Sequence, residues 1–322
     1  MARGDYLTGK ATIVGWGLQA VATGTRWDGT VGTLRYNKVM SGGANYSLGS
    51  DQNYDDTMDV DPQSITTGAT KHSGSFKQLL SSEHQELLLI AMAGKADSIA
   101  GAGPYVHTIA LAAAEVYLTI AYYYENFKGI KYLRTYTNAI VTELTIEGSP
   151  EQRPTITVSW VAQSVALTTP GSVPTLNTMD LVDWTELTVT INSAAACVNS
   201  LTFTVSRGVD DADICMGADA PLVNTLFGNS QRTAQMTTEL GIDDSFETII
   251  EAATTAVTGD IEWDNGGSST ASRIVKIPIT LMRATTVDMV PATWGKRKAS
   301  INWAIEDWNG FVVTNSLDSA QL

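Results

Sequence analysis

Residues 73–94 contain Ser73-Gly-Ser-Phe-Lys-Gln-Leu-Leu80, followed by Ser82-Glu-His-Gln85 and Leu87-Leu-Leu-Ile-Ala-Met-Ala-Gly94. This stretch predicts a strand, a capped helix start and an apolar helix, because Ser82 and Gln85 have the spacing of a capping box. The same succession occurs 162 positions later, in Thr233–Leu240, Asp244–Glu247 and Ile249–Ala253. In a chain of 322 residues, this offset predicts that one fold is present twice.

Further strand patterns repeat in the same order, with offsets that drift as loops change length. The aligned pairs are Val31–Leu34 with Val198–Leu201, Val116–Ile120 with Ile274–Pro278, and Thr155–Val161 with Ala299–Ile305. Residues 166–176 are rich in Pro, Gly and small hydroxyl residues, which is typical of a linker. We therefore predict a first domain at 1–165, a linker at 166–176 and a second domain at 177–322.

Strand signals dominate the chain, so the predicted fold class is mainly β. Runs rich in β-branched and aromatic residues lie at 116–124, 140–146, 155–161, 187–191, 198–205, 274–281 and 299–305. Pro278 interrupts one of these runs and cannot donate to a ladder, which predicts an edge strand or a bulge. Helix is predicted only in the two capped segments, and the chain has no apolar run long enough to span a membrane.

The composition of the chain argues against a protein that binds nucleic acid through its phosphates. The net charge is −14, with −3 in residues 1–165 and −11 in residues 166–322. An acidic surface lets a protein lie beside DNA without binding its phosphates. Cys197 and Cys215 lack zinc-site spacing, and His72, His84 and His107 form no catalytic or metal-binding motif. We therefore predict no enzymatic activity and no cofactor.

Two long polar stretches, 41–70 and 207–230, separate an early strand from the strand before each helix. Stretches of this length inside compact domains are usually functional or bind a partner. Their acidic clusters lack the glycine and glutamate of a calcium loop. The candidate contact residues here are Asn45, Tyr46, Asp51, Tyr54, Asp55, Asp56, Asp59, Asp210, Asp211 and Asp213.

Aromatic residues form a second candidate contact surface, made of Tyr122, Tyr124, Phe127 and Tyr132. Consecutive side chains on a strand point to opposite faces, so one face is expected in the core and the other in contact with a partner. A contact between subunits is the preferred interpretation of these rings. A sugar-binding surface is the alternative.

The segment from about Gly68 to Ala162 resembles the tail tube proteins (major tail proteins) of long-tailed bacteriophages. A Gly-Ser-Phe strand there precedes a helix that ends in Ala-Met-Ala-Gly94. Tyr105-Val-His-Thr108 follows, then the aromatic strand and the paired strands at 138–148 and 153–162. The second half resembles the family more loosely, and Val198–Leu201 is its best match.

The resemblance implies two tandem tail-tube-like domains, each an antiparallel β-sandwich or half-barrel with one flanking α-helix. It implies six-domain rings that stack into a hollow tube, so three two-domain chains would close one pseudo-hexameric ring. The two polar stretches would join neighbouring rings. The implied partners are other copies of the chain, the tape measure protein, tail-terminator and baseplate proteins, and DNA that passes through the lumen. The implied location is the virion tail, assembled in the host cytoplasm, and duplicated length favours the non-contractile kind.

Two other classes of function remain open at this point. One is a virion decoration or adhesin module that binds a cell-surface glycan through the tyrosines. The other is a hydrolase that uses paired carboxylates in the acidic stretches, since the separation of such a pair is spatial and a sequence does not show it.

Overall fold

The computed structural model describes residues 13–19, 34–40, 44–54, 65–94, 97–100, 103–112, 116–125, 129–150, 152–162, 164–208, 232–241, 246–253, 255–267, 272–290 and 298–316. These residues form antiparallel strands and two α-helices, which confirms the mainly β prediction. In the part of the chain described, no helix has the length and apolar character needed to cross a membrane.

The strands of the first half are β1 (Ile13–Leu18), β2 (Arg35–Lys38), β3 (Ala44–Tyr54), β4 (Ile65–Leu79), β5 (Asp97–Ala100), β6 (Tyr105–Ile109), β7 (Leu118–Glu125), β8 (Lys131–Ser149), β9 (Gln152–Ala162) and β10 (Ser164–Thr168). Those of the second half are β11 (Leu187–Ile191), β12 (Ala194–Ala196), β13 (Val198–Arg207), β14 (Arg232–Gly241), β15 (Val257–Asp264), β16 (Ile274–Val290), β17 (Lys298–Trp308) and β18 (Phe311–Asn315). The helices are α1 (Glu86–Ala93) and α2 (Phe246–Ala253), and a 3₁₀ turn spans Trp184–Glu186.

The strand pairings occur twice in one order. In the first half, neighbouring strands follow the order β3-β4-β9-β8-β7-β1-β2. In the second half, they follow the order β13-β14-β17-β16-β15-β11-β12. In addition, β10 pairs with the beginning of β8, and β18 pairs with the beginning of β16. Among the described strands, only the β5–β6 hairpin has no counterpart in the second half.

These pairings correct the sequence alignment of the two halves. The counterpart of β7 is β15, so the match of Val116–Ile120 with Ile274–Pro278 was wrong. The counterpart of β13 is β3, whereas Val31–Leu34 lies before β2 and only its last residue is described. Short β-branched runs look alike, so pattern alone does not tell one strand from the next. The match of Thr155–Val161 with Ala299–Ile305 joins the correct strands, β9 and β17.

Eight strands form one continuous sheet, the long sheet, in the order β3-β4-β9-β8-β13-β14-β17-β16. The first parts of β8 and β16 leave the long sheet and pair with β7 and β15, which builds a second layer in each half. In β8 the change of partner occurs at Asn138, which has a left-handed φ of 55°. The backbone N–H of Asn138 donates to Oε1 of Gln19 at 2.9 Å, which stabilises this turn between the layers.

The core lies between the layers, and its largest fully buried side chains include Trp16, Trp160, Trp263 and Trp303. Helix α1 is buried along its whole length and ends at Gly94, whose left-handed φ of 83° lets its N–H donate to the Ile90 carbonyl.

The helix start differs from the predicted capping box. Gln85 is the N-cap of α1 and makes no capping hydrogen bond through its side chain, so the prediction of Ser82 as the cap is wrong. The Gln85 side chain instead accepts from the backbone N–H of Ser81 at 2.9 Å. Asp244, the second predicted cap, lies outside the described residues.

Pro278 does not lie on an edge strand, because β16 has partners on both sides. It lies opposite Asp260 of β15 on one side. On the other side, β16 changes partner from β18 to β17 at this point, and the Pro278 carbonyl accepts from the N–H of Asn309 at 3.1 Å. The missing N–H therefore falls between two partners, and a register shift follows directly after Ile279.

Two stretches expected to be irregular are partly strand. Much of 41–70 belongs to a hairpin of β3 and β4, whose ladder extends from Ala44 opposite Phe76 to Tyr54 opposite Ile65. The expected linker at 166–176 overlaps β10, which continues to Thr168. Gly, Asn and Ser have low strand propensity, so tertiary pairing overrides local preference at the hairpin.

Candidate assembly surfaces

The two halves of the chain meet through a pairing of β8 with β13. Phe203 lies opposite Ile146, and Val205 lies opposite Leu144. All four side chains are completely buried. On the other face of the same ladder, the hydroxyl oxygens of Thr145 and Thr204 are 3.1 Å apart. This junction therefore continues the apolar core on one face of the long sheet, and on the other face it brings hydroxyl and carboxylate side chains together.

β16 and β8 have the same pairing register relative to the tryptophan of the neighbouring strand. Trp160 of β9 lies opposite Val141 of β8, and Trp303 of β17 lies opposite Ala284 of β16. In both ladders a register shift follows at once, before Glu143 in β8 and before Thr286 in β16. Such an irregularity fixes the register of a strand. Consequently Thr286 takes the place of Glu143, and the residues after it correspond one by one.

By this correspondence, Val287 and Met289 take the places of Leu144 and Ile146. They lie opposite Ile301 and Ala299, both buried, so they belong to the core face of the long sheet. Yet Val287 is 38% exposed and Met289 is 49% exposed, whereas Leu144 and Ile146 are 0% exposed. The reason is that this edge of β16 has no partner among the described strands. An unpaired edge with exposed apolar side chains is a surface that proteins cover by assembly.

The opposite end of the long sheet is β3, which pairs only with β4 among the described strands. Register counted from the two tryptophans places Tyr46 at the position of Phe203 and Leu48 at the position of Val205. One open edge of the long sheet thus corresponds to β13, and the other corresponds to β8. These are the two strands that already pair inside the chain.

The family described as phage tail tube protein matches residues 52–303, which is more than half of the chain. The chain belongs to the phage tail tube protein family. None of the curated proteins matches it. For a tail tube family member, open and mutually corresponding sheet edges are surfaces expected to meet other copies in the tube.

The structure corrects two of the predicted contact aromatics of this tail tube family member. Tyr122 and Tyr124 are 0% exposed, because both faces of β7 are covered within the chain. Tyr122 accepts from the Trp160 indole N–H at 2.8 Å and donates to the Ser75 carbonyl at 3.3 Å. Tyr122 therefore links β7 to β4 and β9, and neither buried ring is available to a neighbouring subunit or to a glycan.

Of the other predicted contact aromatics, Tyr132 is half-buried and stacks on Tyr124 with ring centroids 5.4 Å apart. Phe127 lies outside the described residues. The glycan-binding alternative therefore loses two of the four rings on which it depended.

The predicted ring-stacking residues fall into two groups. Asn45, Tyr46, Asp51 and Tyr54 lie on β3, and Asn45 is exposed. Asp55, Asp56, Asp59, Asp210, Asp211 and Asp213 lie outside the described residues. The structure therefore brings four of the ten onto one strand of the β3–β4 hairpin.

The face of the long sheet that points away from the core carries small polar side chains. They include Ser75, Thr157, Ser159, Thr145, Thr202, Thr204, Ser206, Thr233, Gln235, Thr237, Ser300 and Asn302. Three cations on this polar face each have a carboxylate partner. The pairs are Lys77 with Glu147 at 2.6 Å, Lys298 with Glu239 at 2.5 Å and Arg283 with Glu306 at 3.2 Å. Partly exposed pairs of this kind add little stability, but they neutralise positive charge on the face.

A buried polar cluster links α1 to β6 and β18. The Asn315 amide donates to the Ser82 carbonyl at 2.8 Å and to the Glu86 carboxylate, and its oxygen lies 3.0 Å from Nε2 of His107. Burial raises the pKa of Glu86 to about 7, although Arg35, with Nη1 3.7 Å from Oε2, partly offsets this effect. Since β18 belongs to the second half, this cluster ties the two halves together. Its members are far apart in the chain, so no local sequence pattern indicates the cluster.

No group of three His, Cys, Asp or Glu side chains among the described residues could hold a metal ion. The shallow depression lined by Glu186, Asp260 and Glu262 also contains Lys276, whose Nζ lies 2.8 Å from Glu262 and 3.5 Å from Asp260. Hydrogen bonding to Glu262 raises the pKa of Lys276, so Asp260 and Glu262 are engaged in ion pairs.

Proposed function

We propose that this chain assembles with further copies into rings that stack to form the hollow tail tube of a long-tailed phage. The tape measure protein would occupy the tube, and DNA would pass through it. The observation that carries this proposal is the long sheet with two open edges that correspond to the pair β8 and β13. A strip of sheet with mutually matching ends is suited to closing into a ring with other copies.

We propose three chains in each ring. The repeated pairing order supplies two equivalent units per chain, so three chains give pseudo-sixfold symmetry. At a strand spacing of about 4.8 Å and a tilt of about 40°, roughly 24 strands enclose a cylinder about 48 Å across, measured between backbones. Six chains would give a cylinder twice as wide. The smaller cylinder leaves room for one DNA duplex after side chains are subtracted, which supports three chains.

The polar face of the long sheet would line the channel. The second layers pack on the other face of the long sheet. If they faced inward, a layer about 10 Å thick on each side would take up much of a channel of this width. Hydroxyl groups and paired cations offer no concentrated positive charge to phosphates. DNA would therefore slide along this surface without being held, as the acidic composition also favours.

The β3–β4 hairpin and residues 207–230 would make the contacts between stacked rings. In a virion, the ends of such a tube would meet the tail-terminator and baseplate proteins. The tail would be of the non-contractile kind, and the tube would assemble in the host cytoplasm. Duplicated length supports the non-contractile kind, and the polar hairpin supports the contact between stacked rings.

Electron microscopy of the purified chain tests the proposal. Hollow tubes are expected, with rings whose mass equals three chains by native mass spectrometry of dissociated tubes. Rings of six chains would overturn the trimer. A chain that stays monomeric at high concentration, with or without tape measure protein, would overturn the tube assignment.

A further inference from the structure

We infer that β3 of one chain pairs antiparallel with β16 of the next chain, with Ser47 opposite Asp288, Tyr46 opposite Met289 and Leu48 opposite Val287. The occupant of both open edges of the long sheet is thus a second copy of this chain. This inference rests on the proposed ring and specifies the strand pairing that would close it.

The register follows from the junction inside the chain. There, Thr204 lies opposite Thr145, and the flanking pairs are Phe203 with Ile146 and Val205 with Leu144. Thr145 lies opposite the residue three positions before Trp160, and Asp288 lies opposite the residue three positions before Trp303. Asp288 therefore occupies on β16 the position that Thr145 occupies on β8. The corresponding count on β3 replaces Thr204 by Ser47. A slip of one residue would exchange the two faces of a strand, and a slip of two residues would keep the faces but lose the correspondence with the junction.

The residue types agree with this register on the core face. The two core-face positions of β16 carry Val287 and Met289, which are partly exposed in the single chain. Their partners by register are Leu48 and Tyr46, so an apolar residue meets an apolar or aromatic residue at each position.

The residue types also agree on the polar face. Asp288 meets Ser47, a hydroxyl donor opposite a carboxylate acceptor. The pairing would therefore cover the exposed apolar groups and leave no like charges opposite each other at these positions.

The two edges do not meet within one chain. They are the first and last strands of the long sheet, separated along the sheet by seven strand spacings of about 4.8 Å, or roughly 34 Å. A covalent link between them must therefore join different chains. This separation makes the pairing testable by disulfide cross-linking.

The test uses Ser47→Cys with Asp288→Cys in a parent in which Cys197 and Cys215 are replaced by serine. Mild oxidation of assembled tubes is expected to give covalent species of two and three chains, and none larger, on a non-reducing gel. The matched control is Thr145→Cys with Thr204→Cys, whose hydroxyl oxygens are 3.1 Å apart in the chain. This control is expected to form its disulfide within one chain and to keep the mass of one chain.

A second pair tests the register. Ser47→Cys with Thr286→Cys places the sulfurs at diagonal positions about 7–8 Å apart, so it should cross-link at least tenfold more slowly. Mixing the Ser47→Cys and Asp288→Cys single variants should give covalent dimers only, and this test applies even where the double variant assembles poorly.

The outcomes separate this inference from the proposed function. Normal tubes without the 47–288 link, or with faster linking of 47 to 286, would overturn the pairing and leave the tube intact. Covalent ladders beyond three chains would support the pairing and overturn the ring of three. A cysteine-free parent that forms no tubes, when the wild-type chain also forms none, would reject both the tube and the pairing.

Discussion

Trp160 and Trp303 lie at the same point of the repeated sheet but have different neighbours. Each indole N–H donates to a hydroxyl, Trp160 to Tyr122 at 2.8 Å and Trp303 to Thr238 at 3.0 Å. On the adjacent strand, Met236 lies opposite Trp303, whereas Gly74 lies opposite Trp160. The first half therefore accommodates its tryptophan by removing a side chain from the neighbouring strand.

Gly74→Ala is expected to destabilise the fold by roughly 1–3 kcal/mol, as overpacking does. A Cβ at this position would lie 2.5 Å from Cζ2 of Trp160 and 2.6 Å from the backbone oxygen of Asn45. Chemical denaturation of unassembled protein measures the loss. Gly171→Ala is the control, since a Cβ there meets nothing within 4 Å. Equal stability of the two variants would show that the sheet yields at Gly74.

Met289→Lys is expected to abolish tube formation while leaving the chain folded. The side chain is 49% exposed in the single chain, so its replacement should change the unfolding free energy by no more than about 0.5 kcal/mol. In the ring, the charge would lie in an apolar contact, and the critical concentration for assembly should rise at least tenfold, as sedimentation would measure.

Leu167→Lys is the control for that experiment, because Leu167 is 52% exposed on β10, away from both open edges. It should assemble like the wild-type chain. Tubes of normal length and number from Met289→Lys would contradict the assignment of β16 to the ring contact.

Gln235→Lys is expected to make assembled tubes retain duplex DNA. Gln235 is exposed on the polar face of the long sheet, where the cations at Lys77 and Lys298 already have carboxylate partners. An unpaired lysine repeated around the lumen would attract phosphates, and the retention should fall as salt is added. Fluorescence measurements of labelled duplex bound to tubes, at two salt concentrations, measure the effect.

The control for Gln235→Lys is Thr248→Lys, which adds the same charge on the exposed side of α2. Phe246 and Ile249 of this helix pack into the core, so a lysine on its exposed side should lie outside the lumen. Equal retention by both variants would show that the polar face of the long sheet does not line the channel.

Glu86→Gln is expected to flatten the pH dependence of stability. The folded-state pKa of Glu86 is raised to about 7 from an ordinary value of 4.5, so the folded chain holds a proton that the unfolded chain releases. The stabilisation is complete below about pH 4.5 and is lost as pH rises through about 7, with a total of about 3 kcal/mol.

Denaturation of unassembled protein at pH 5 and pH 8 measures this effect. The wild-type chain should lose more stability than Glu86→Gln between these values. Glu247→Gln, on the exposed side of α2, should behave like the wild-type chain. Parallel curves for Glu86→Gln and the wild-type chain would contradict a buried proton at this position.

Periodicity predicted the elements that depend on local signals. β-propensity predicted the mainly β class and the strands around Trp160 and Trp303. Capping rules predicted the helix that ends at Gly94. The pattern did not predict the β3–β4 hairpin, because its Gly, Asn and Ser residues take strand conformation only through pairing.

The candidate contacts were harder to predict than the elements. Tyr122 and Tyr124 are amphipathic rings, and sequence alone does not tell whether a second layer covers them. The importance of Val287 and Met289 depends on which strand lies beside them, which is a property of topology. It became visible only when the register of β16 could be compared with that of β8.

The β5–β6 hairpin has a further consequence for the exterior of the particle. It has no counterpart among the strands described in the second half, and its strand β6 extends the ladder of β18. In a ring of three chains this feature would appear at every second unit, so the outer wall would alternate between two kinds of site. A partner with true sixfold symmetry would then have only three equivalent binding sites on the ring. A partner with threefold symmetry could occupy equivalent sites with all of its subunits.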